Sequence, residues 1–373
     1  MKDISIRSTQ VLVTLALIAI GLMFLVEFTK KERQQAYFEE KLEAANLMQS
    51  CISYLKEIYF KNEVSIDNIN DPNESCIIGT RYSEITSGRG SLPIKLSTVN
   101  PNFAALVIQL YKDAGLKSGD HIAICATGSF PALNIAACSA AKVLKLKVSL
   151  ISSLTSSSWG ANDPNYTFPD MYSTLQEGGF LNQNIIAASI GANQDIGRTL
   201  TPKGRDLAVE AIERNNIPFI DGSSLEQNIK KRMQLFEERE KETGQIIKLY
   251  VNIGGGVASL GGPENSNQLP PGLTKTAKLS MFPDKKGIMF EMAAKNIPFI
   301  NLLNLSKLMN KYELPIDPVP LPDVGEGKLF KELKYDLRIV IGSTLLLVLL
   351  IVGVIIYDKR QNVLGNEIVH NYN

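Results

Sequence analysis

Residues 11–26 carry no charge and only one polar side chain, Thr14. With the flank from Ile4 this run reaches the ~20 residues needed to cross a hydrocarbon core of about 30 Å. A second uncharged run, residues 339–356, is closed by Tyr357, Asp358, Lys359 and Arg360. Its length and its density of Leu, Ile and Val exceed those of an ordinary buried helix. No small-residue cleavage site and no lipoprotein cysteine follow the first run, which favours a retained signal anchor over a cleaved signal peptide. The pattern predicts two membrane spans, with both termini on one side and the intervening chain on the other.

Between the spans the apolar positions change period. Ala44, Leu47, Met48, Cys51, Leu55, Ile58 and Tyr59 recur at steps of three and four, a helical stripe. It predicts a helix that continues from the membrane and lays one face on the domain, ended by a polar loop with Asp71, Pro72 and Asn73. A helix over 103–114 stops at Gly115, and the run from His121 to Ala126 is a short buried strand. Thr127, Gly128 and Ser129 turn the chain into a helix over 131–144, with Pro131 at an early position where its missing N–H costs little. Residues 147–151 form the next strand. Strand, glycine turn, helix, strand is a right-handed βαβ unit of a parallel sheet.

Further on the chain partly repeats itself. Residues 185–191 and 246–254 are strands ending in Ile-Gly, and each is followed by a helical stretch, 205–214 and 287–295. Each helix runs into the same pentapeptide, Asn-Ile-Pro-Phe-Ile, at 216–220 and 296–300, and an amphipathic helix follows both. An Asn cap before Ile-Pro is a common α-to-β junction, so coincidence is one explanation and a pair of related β–α–β units the other. At least six strands alternate with helices. The fold class is α/β, with a doubly wound, mostly parallel, Rossmann-like sheet tethered by an N-terminal and a C-terminal transmembrane helix. The boundaries read as an anchor over 1–29, an amphipathic connecting helix over 30–62, the α/β domain over 63–313, a Pro/Gly-rich linker and juxtamembrane segment over 314–335, the second span over 336–358 and a tail over 359–373.

Composition narrows the chemistry. The 373 residues include 39 basic and 38 acidic side chains, so the chain lacks the positive excess that phosphate contacts require and no nucleic-acid partner is expected. Two histidines and four cysteines without a C-x-x-C pair argue against a metal site. Cys125 and Cys138 sit in apolar stretches as small hydrophobes, while a Cys51–Cys76 disulfide is open on spacing alone. Basic residues lie on both sides of the spans: Lys2, Arg7, Lys359 and Arg360 outside the domain, and Lys30, Lys31, Arg33, Lys328, Lys331, Lys334 and Arg338 next to it. A raw count puts the domain in the cytoplasm, but long domains translocate largely regardless of charge. A short basic N-terminus ahead of the first span is the usual start of an anchor with its N-terminus inside, which leads to an extracytoplasmic domain.

In an open parallel sheet, ligands bind beyond the carboxyl ends of the strands. Thr127, Gly128 and Ser129 lie there at a helix N-terminus, where N–H groups and the dipole attract an anion. Ser129 is either a nucleophile or a helix cap. His121 starts its strand at the opposite end, so a serine–histidine triad has poor support. The loop Asn252, Ile253, Gly254, Gly255, Gly256 reads G-x-G-x-x-S, but no helix follows it promptly, and no nicotinamide or other cofactor is expected. Its triple glycine lets a backbone approach a ligand closely, or is simply a strained loop. In the corresponding loop of the first repeat, Asn193, Asp195 and Arg198 could position a polar substrate or lie in solvent. Ser87 and Arg89 belong to a further glycine-rich polar loop whose placement the pattern does not give. The serine-rich stretch 152–159, ending in the single tryptophan, follows a strand where α/β proteins place substrate contacts. No G-x-x-x-x-G-K-[ST] occurs, which excludes a P-loop ATPase.

The two-span layout, the stretches Thr86-Ser87-Gly88-Arg89-Gly90-Ser91-Leu92 and Asn100-Pro101-Asn102-Phe103-Ala104-Ala105, the segment 126–134 and the loop 252–256 resemble bacterial poly-gamma-glutamate system membrane proteins. The resemblance covers nearly the whole chain, in short motifs. It implies an accessory part in making or exporting an anionic capsule polymer of gamma-linked glutamate, with the polymer itself or separate synthase and export components as partners. It carries over no catalytic residue. The alternative is a membrane-anchored α/β hydrolase or transferase acting on the gamma-glutamyl chain.

Overall fold

A computed structural model of the protein describes residues 8–61, 66–275 and 286–370; Lys2, Arg7 and the last three residues of the tail lie outside the described residues. The chain divides into two compact units, Met1–Gln34 with Lys331–Asn373, and Gln35–Phe330.

The first unit contains α1 (Thr9–Phe28), β1 (Lys31–Gln34), β12 (Lys331–Lys334) and α12 (Leu337–His370). The segments Thr9–Phe28 and Leu337–Arg360 are long and apolar enough to cross a membrane, and neither has a buried residue in its most apolar stretch. At 1.5 Å per residue the 20 residues of α1 measure about 30 Å. β1 and β12 pair antiparallel, Lys31 opposite Lys334 and Gln34 opposite Lys331. The ribbon brings the adjoining ends of the two helices together. It also corrects the expected continuous helix after the first span: Lys31, Glu32, Arg33 and Gln34 are all exposed and extended, and the next helix starts only at Phe38.

In the second unit that helix is α2 (Phe38–Lys61), followed by β2 (Thr86–Gly88), α3 (Leu92–Thr98), α4 (Asn102–Asp113), β3 (His121–Thr127), α5 (Pro131–Val143) and β4 (Lys147–Ser153). Next come β5 (Ser156–Ser157), β6 (Asn162–Asp163), β7 (Tyr166–Thr167), α6 (Phe168–Glu177), β8 (Ile185–Ser189), α7 (Pro202–Arg214) and α8 (Leu225–Thr243). The chain continues through β9 (Ile247–Ile253), the single-turn α9 (Val257–Leu260), β10 (Gly272–Thr274), α10 (Ile288–Ala294), β11 (Phe299–Leu302) and α11 (Ser306–Tyr312). Six strands form the main sheet in the order β10-β11-β9-β3-β4-β8; all neighbours are parallel except the edge pair β10–β11.

The central strands are buried on both faces, which is why they read as continuous apolar runs. In β3, Ile122, Ile124 and Ala126 face the core built with α2, α4 and α5, while Ala123 and Cys125 face a second core with α8, α9 and α10. The alternation has the period of two that a strand imposes. The stripe on α2 serves the first core, where Ala44, Ala45, Met48, Cys51 and Leu55 are buried.

The two pentapeptides are equivalent in space as well as in sequence. Asn216 and Asn296 both adopt left-handed backbone angles, with φ 54° and 58°. The following amides reach back to the helix, Ile217 N to Ile212 O and Ile297 N to Met292 O, the closure of a Schellman-type cap. Each proline carbonyl then accepts from the strand that opened its unit: Ala188 N donates to Pro218 O at 2.9 Å, and Tyr250 N to Pro298 O at 3.0 Å. The second copy becomes the sheet strand β11, whereas the first makes a single parallel bridge, Phe219 to Ala188.

Residues 314–330 do not form a free linker. Leu314, Leu329 and Phe330 are buried in the first core, Lys41 Nζ donates to Leu329 O at 2.8 Å, and Asn102 Nδ2 donates to Asp323 O at 3.0 Å. Apolar residues spaced among the prolines dock the segment on α2 and α4. All four cysteines are free and buried, so there is no Cys51–Cys76 disulfide. Burial pushes the Cys51, Cys76 and Cys138 thiols up to about 12, which keeps them protonated and unreactive.

Candidate functional site

The carboxyl ends of β3, β4, β8, β9 and β11 open into one cleft of about 730 Å³. Of the residues singled out in the sequence, Thr127 and Ser129 line it after β3, Asn193 after β8, and Gly255 and Gly256 after β9. Ser87 and Arg89 join them from the N-terminal side, because β2 pairs parallel with β5, Thr86 against Ser156 and Gly88 against Ser157. That pairing places the glycine-rich loop whose position the pattern left open. The serine-rich stretch contributes Ser153, Thr155 and Ser157 to the wall.

Glycine is what allows these loops to touch. A Cβ on Gly128 would lie 2.5 Å from Leu154 O, and one on Gly90 would lie 2.3 Å from Ser158 O. Gly254 has φ +87°, and a Cβ there would meet Thr127 Oγ1 at 2.3 Å. Gly128 and Gly254 therefore shape the cleft without lining it; they hold loop backbones against β3 and β4.

Three candidates are spent elsewhere. Asp195 is fully buried beneath the cleft, 3.0 Å from the guanidinium of Arg232, and also accepts from Ser189 Oγ at 2.9 Å. A carboxylate taken out of water needs such a partner, and Arg232 on α8 supplies it. Arg198 points into solvent and does not reach the cleft. Asn252 is buried in the sheet, donating to Asn301 Oδ1 at 2.8 Å and to Gly254 O at 3.0 Å. Arg198 thus takes the solvent position that the sequence left open, while Asp195 and Asn252 turn inward because their packing partners, Arg232 and Asn301, are distant in sequence.

Ser129 is not a helix cap. Its Oγ accepts from the Ser157 amide at 3.0 Å, and α5 has no side-chain cap. His121 lies at the amino end of β3, 2.8 Å from Ser149 Oγ, far along the strand from this chemistry.

The residue that sequence reasoning missed is Lys95, on α3. It is 3 % exposed, and its Nζ donates to Ser157 Oγ at 2.9 Å and to Ser129 O, with the face of the Phe130 ring 4.0 Å away. No carboxylate pairs with it among the described residues, and burial pushes its ammonium down to about 7. A single lysine between Ile94 and Leu96, right after a glycine-rich loop, was the signal available in the sequence.

The cleft continues past Arg89 and Gly90 into a second groove of about 700 Å³ that carries Arg81, Tyr82 and Trp159. Arg81 and Arg89 likewise have no carboxylate partner among the described residues, and Glu264 is the one carboxylate on the described walls of the two grooves. The joined surface is cationic and rich in hydroxyls. No protein-family model, curated protein or solved structure matches the chain.

Proposed function

We propose that the protein is a membrane-tethered accessory component of a bacterial poly-gamma-glutamate system, and that its cleft and groove bind the anionic polymer. In this reading the sheet is a doubly wound, Rossmann-like scaffold presenting its strand ends to the ligand. The two terminal helices hold it at the inner membrane with the domain on the extracytoplasmic side, next to synthase or export components. The observation that carries it is the pair Arg81 and Arg89, neither with a carboxylate partner among the described residues, on the walls of a cleft and a groove that meet at Arg89 and Gly90. A chain of carboxylates supplies the missing counter-charges, and successive units of one polymer can occupy the cleft and the adjoining groove together. The resemblance of the segments 86–92, 100–105 and 126–134 to that family adds to it.

The test is binding of gamma-linked polyglutamate to the full chain in detergent, with an uncharged polymer of similar length as control. Saturable binding should weaken at least tenfold between low and moderate salt, since exposed charges are screened over about 10 Å at 0.1 M. Arg81→Ala with Arg89→Ala should weaken it comparably at low salt. Absent binding, or binding indifferent to both salt and the arginines, would refute the proposal.

A further inference from the structure

Lys95 and Ser157 form a pair that binding alone does not explain. A buried lysine in a polymer site could touch the ligand directly; here its Nζ is instead 2.9 Å from the Ser157 hydroxyl, on the wall of the cleft. The serine is fixed from both sides. Its amide donates to Ser129 Oγ at 3.0 Å, and its strand β5 is paired with β2. The lysine is fixed by the Ser129 carbonyl and the Phe130 ring. Gly90 closes over the pair: a Cβ there would stand 3.1 Å from Ser157 Oγ and 3.2 Å from Lys95 Cε. A nucleophile within hydrogen-bond reach of a base that a third group orients is the arrangement of covalent catalysis, and lysine serves as that base in serine–lysine enzymes.

We propose that Ser157 is a nucleophile and Lys95 its general base, and that together they cleave an amide link of the gamma-glutamyl chain laid in the cleft. The substrate half of this inference rests on the polymer reading above; the pair itself does not. A neutral amine suits the geometry, with one N–H on the Ser129 carbonyl and the lone pair on the Ser157 hydroxyl. Burial lowers the lysine to about 7, so the neutral form is available at neutral pH; Arg89 and Glu264 are the charged side chains that share its cleft. Ser157 Oγ adds to the carbonyl carbon as its proton passes to Lys95 Nζ. The C–N bond then breaks, and the departing nitrogen takes that proton. Water attacks the resulting serine ester, passing a proton to Lys95, and the acyl carbon–Oγ bond breaks as Ser157 Oγ regains it. One amide and one water become one carboxylic acid and one amine.

The experiment treats the full chain in detergent with a fluorophosphonate, which forms a phosphorus–oxygen bond to an activated serine with loss of fluoride, and maps the adduct by mass spectrometry. The same preparations are given gamma-linked polyglutamate, and binding and chain length are measured. The expected adduct is on Ser157, absent in Ser157→Ala, formed with a rate that rises through a midpoint near pH 7 and falls about 100-fold or more in Lys95→Met. The polymer should shorten with wild type and be bound but not shortened by Ser157→Ala. No adduct on Ser157, or equal labelling of Lys95→Met and wild type, overturns the pair while polymer binding by these variants leaves the accessory reading standing. Labelling of Ser157 without binding or shortening of polymer overturns the gamma-glutamyl substrate and, with it, the polymer reading.

Discussion

Replacing Lys95 by methionine should make the protein more stable at neutral and acidic pH. The ammonium sits 3 % exposed with a carbonyl, a hydroxyl and a ring face around it, and its pKa falls from 10.5 to about 7. At 1.36 kcal/mol per pH unit, that drop corresponds to roughly 5 kcal/mol by which the folded state disfavours the charged form. Methionine has similar length and no charge to desolvate, but it leaves the Ser129 carbonyl and Ser157 hydroxyl without a donor, at about 1–3 kcal/mol. The net gain below pH 7 is then on the order of 2–4 kcal/mol. The sign with pH follows from proton linkage. Between the folded pKa near 7 and the unfolded value of 10.5, the unfolded wild type binds more protons than the folded form, so wild-type stability rises with pH while the methionine variant lacks this dependence. The advantage of Lys95→Met should therefore be flat below pH 7 and shrink by about 3 kcal/mol from pH 7 to 9.5. Trp159, the single tryptophan, lies two residues after Ser157 and reports urea unfolding of this region by its fluorescence in detergent. A difference independent of pH, or one that grows as pH rises, would refute the desolvated-lysine argument.

Two further expectations concern the scaffold. Asp195→Asn leaves the Arg232 guanidinium buried without its counter-charge and should cost about 3–5 kcal/mol, whereas Asp195→Leu combined with Arg232→Met should recover most of that loss; a double-mutant cycle by chemical denaturation checks both. Asn216→Ala and Asn296→Ala should each cost about 1 kcal/mol, because both residues hold left-handed angles, while glycine at either site should be close to neutral; matched shifts in thermal midpoint would confirm that the two junctions are physically equivalent.

Much of the scaffold was legible because its signals are local. Charge-free runs mark helices able to span a membrane; β3 and β4 announce themselves as short apolar runs separated by a glycine turn and a helix opening with Pro131. The pentapeptide after α7 and α10 carries its own instructions: an asparagine that tolerates a left-handed angle, then a proline that ends the helix and extends the chain. The segment after Pro315 was misread for the converse reason. Proline density signals stiffness but says nothing of whether neighbouring Leu329 and Phe330 find a core to enter, and here they do. The break between α1 and α2 was equally hidden, since β1 exists only through pairing with β12, some 300 residues away in the chain.

The candidate site divides along the same line. That glycine-marked turns would gather at the carboxyl ends of parallel strands followed from sequence and topology, and Thr127, Ser129, Asn193, Gly255 and Gly256 do meet there. Which way each polar side chain faces did not follow. Asp195 turns inward because Arg232, on another helix, offers a counter-charge; Arg198 faces water; Asn252 finds Asn301 across the sheet. Lys95 became a site residue only when β2 paired with β5 and carried the loop before α3 onto the cleft, stripping water from the lysine and setting it beside Ser157. Periodicity, caps and turns depend on neighbours a few residues apart and are written in the chain; desolvation and convergence depend on contacts across it, and only the packed tertiary structure decides them.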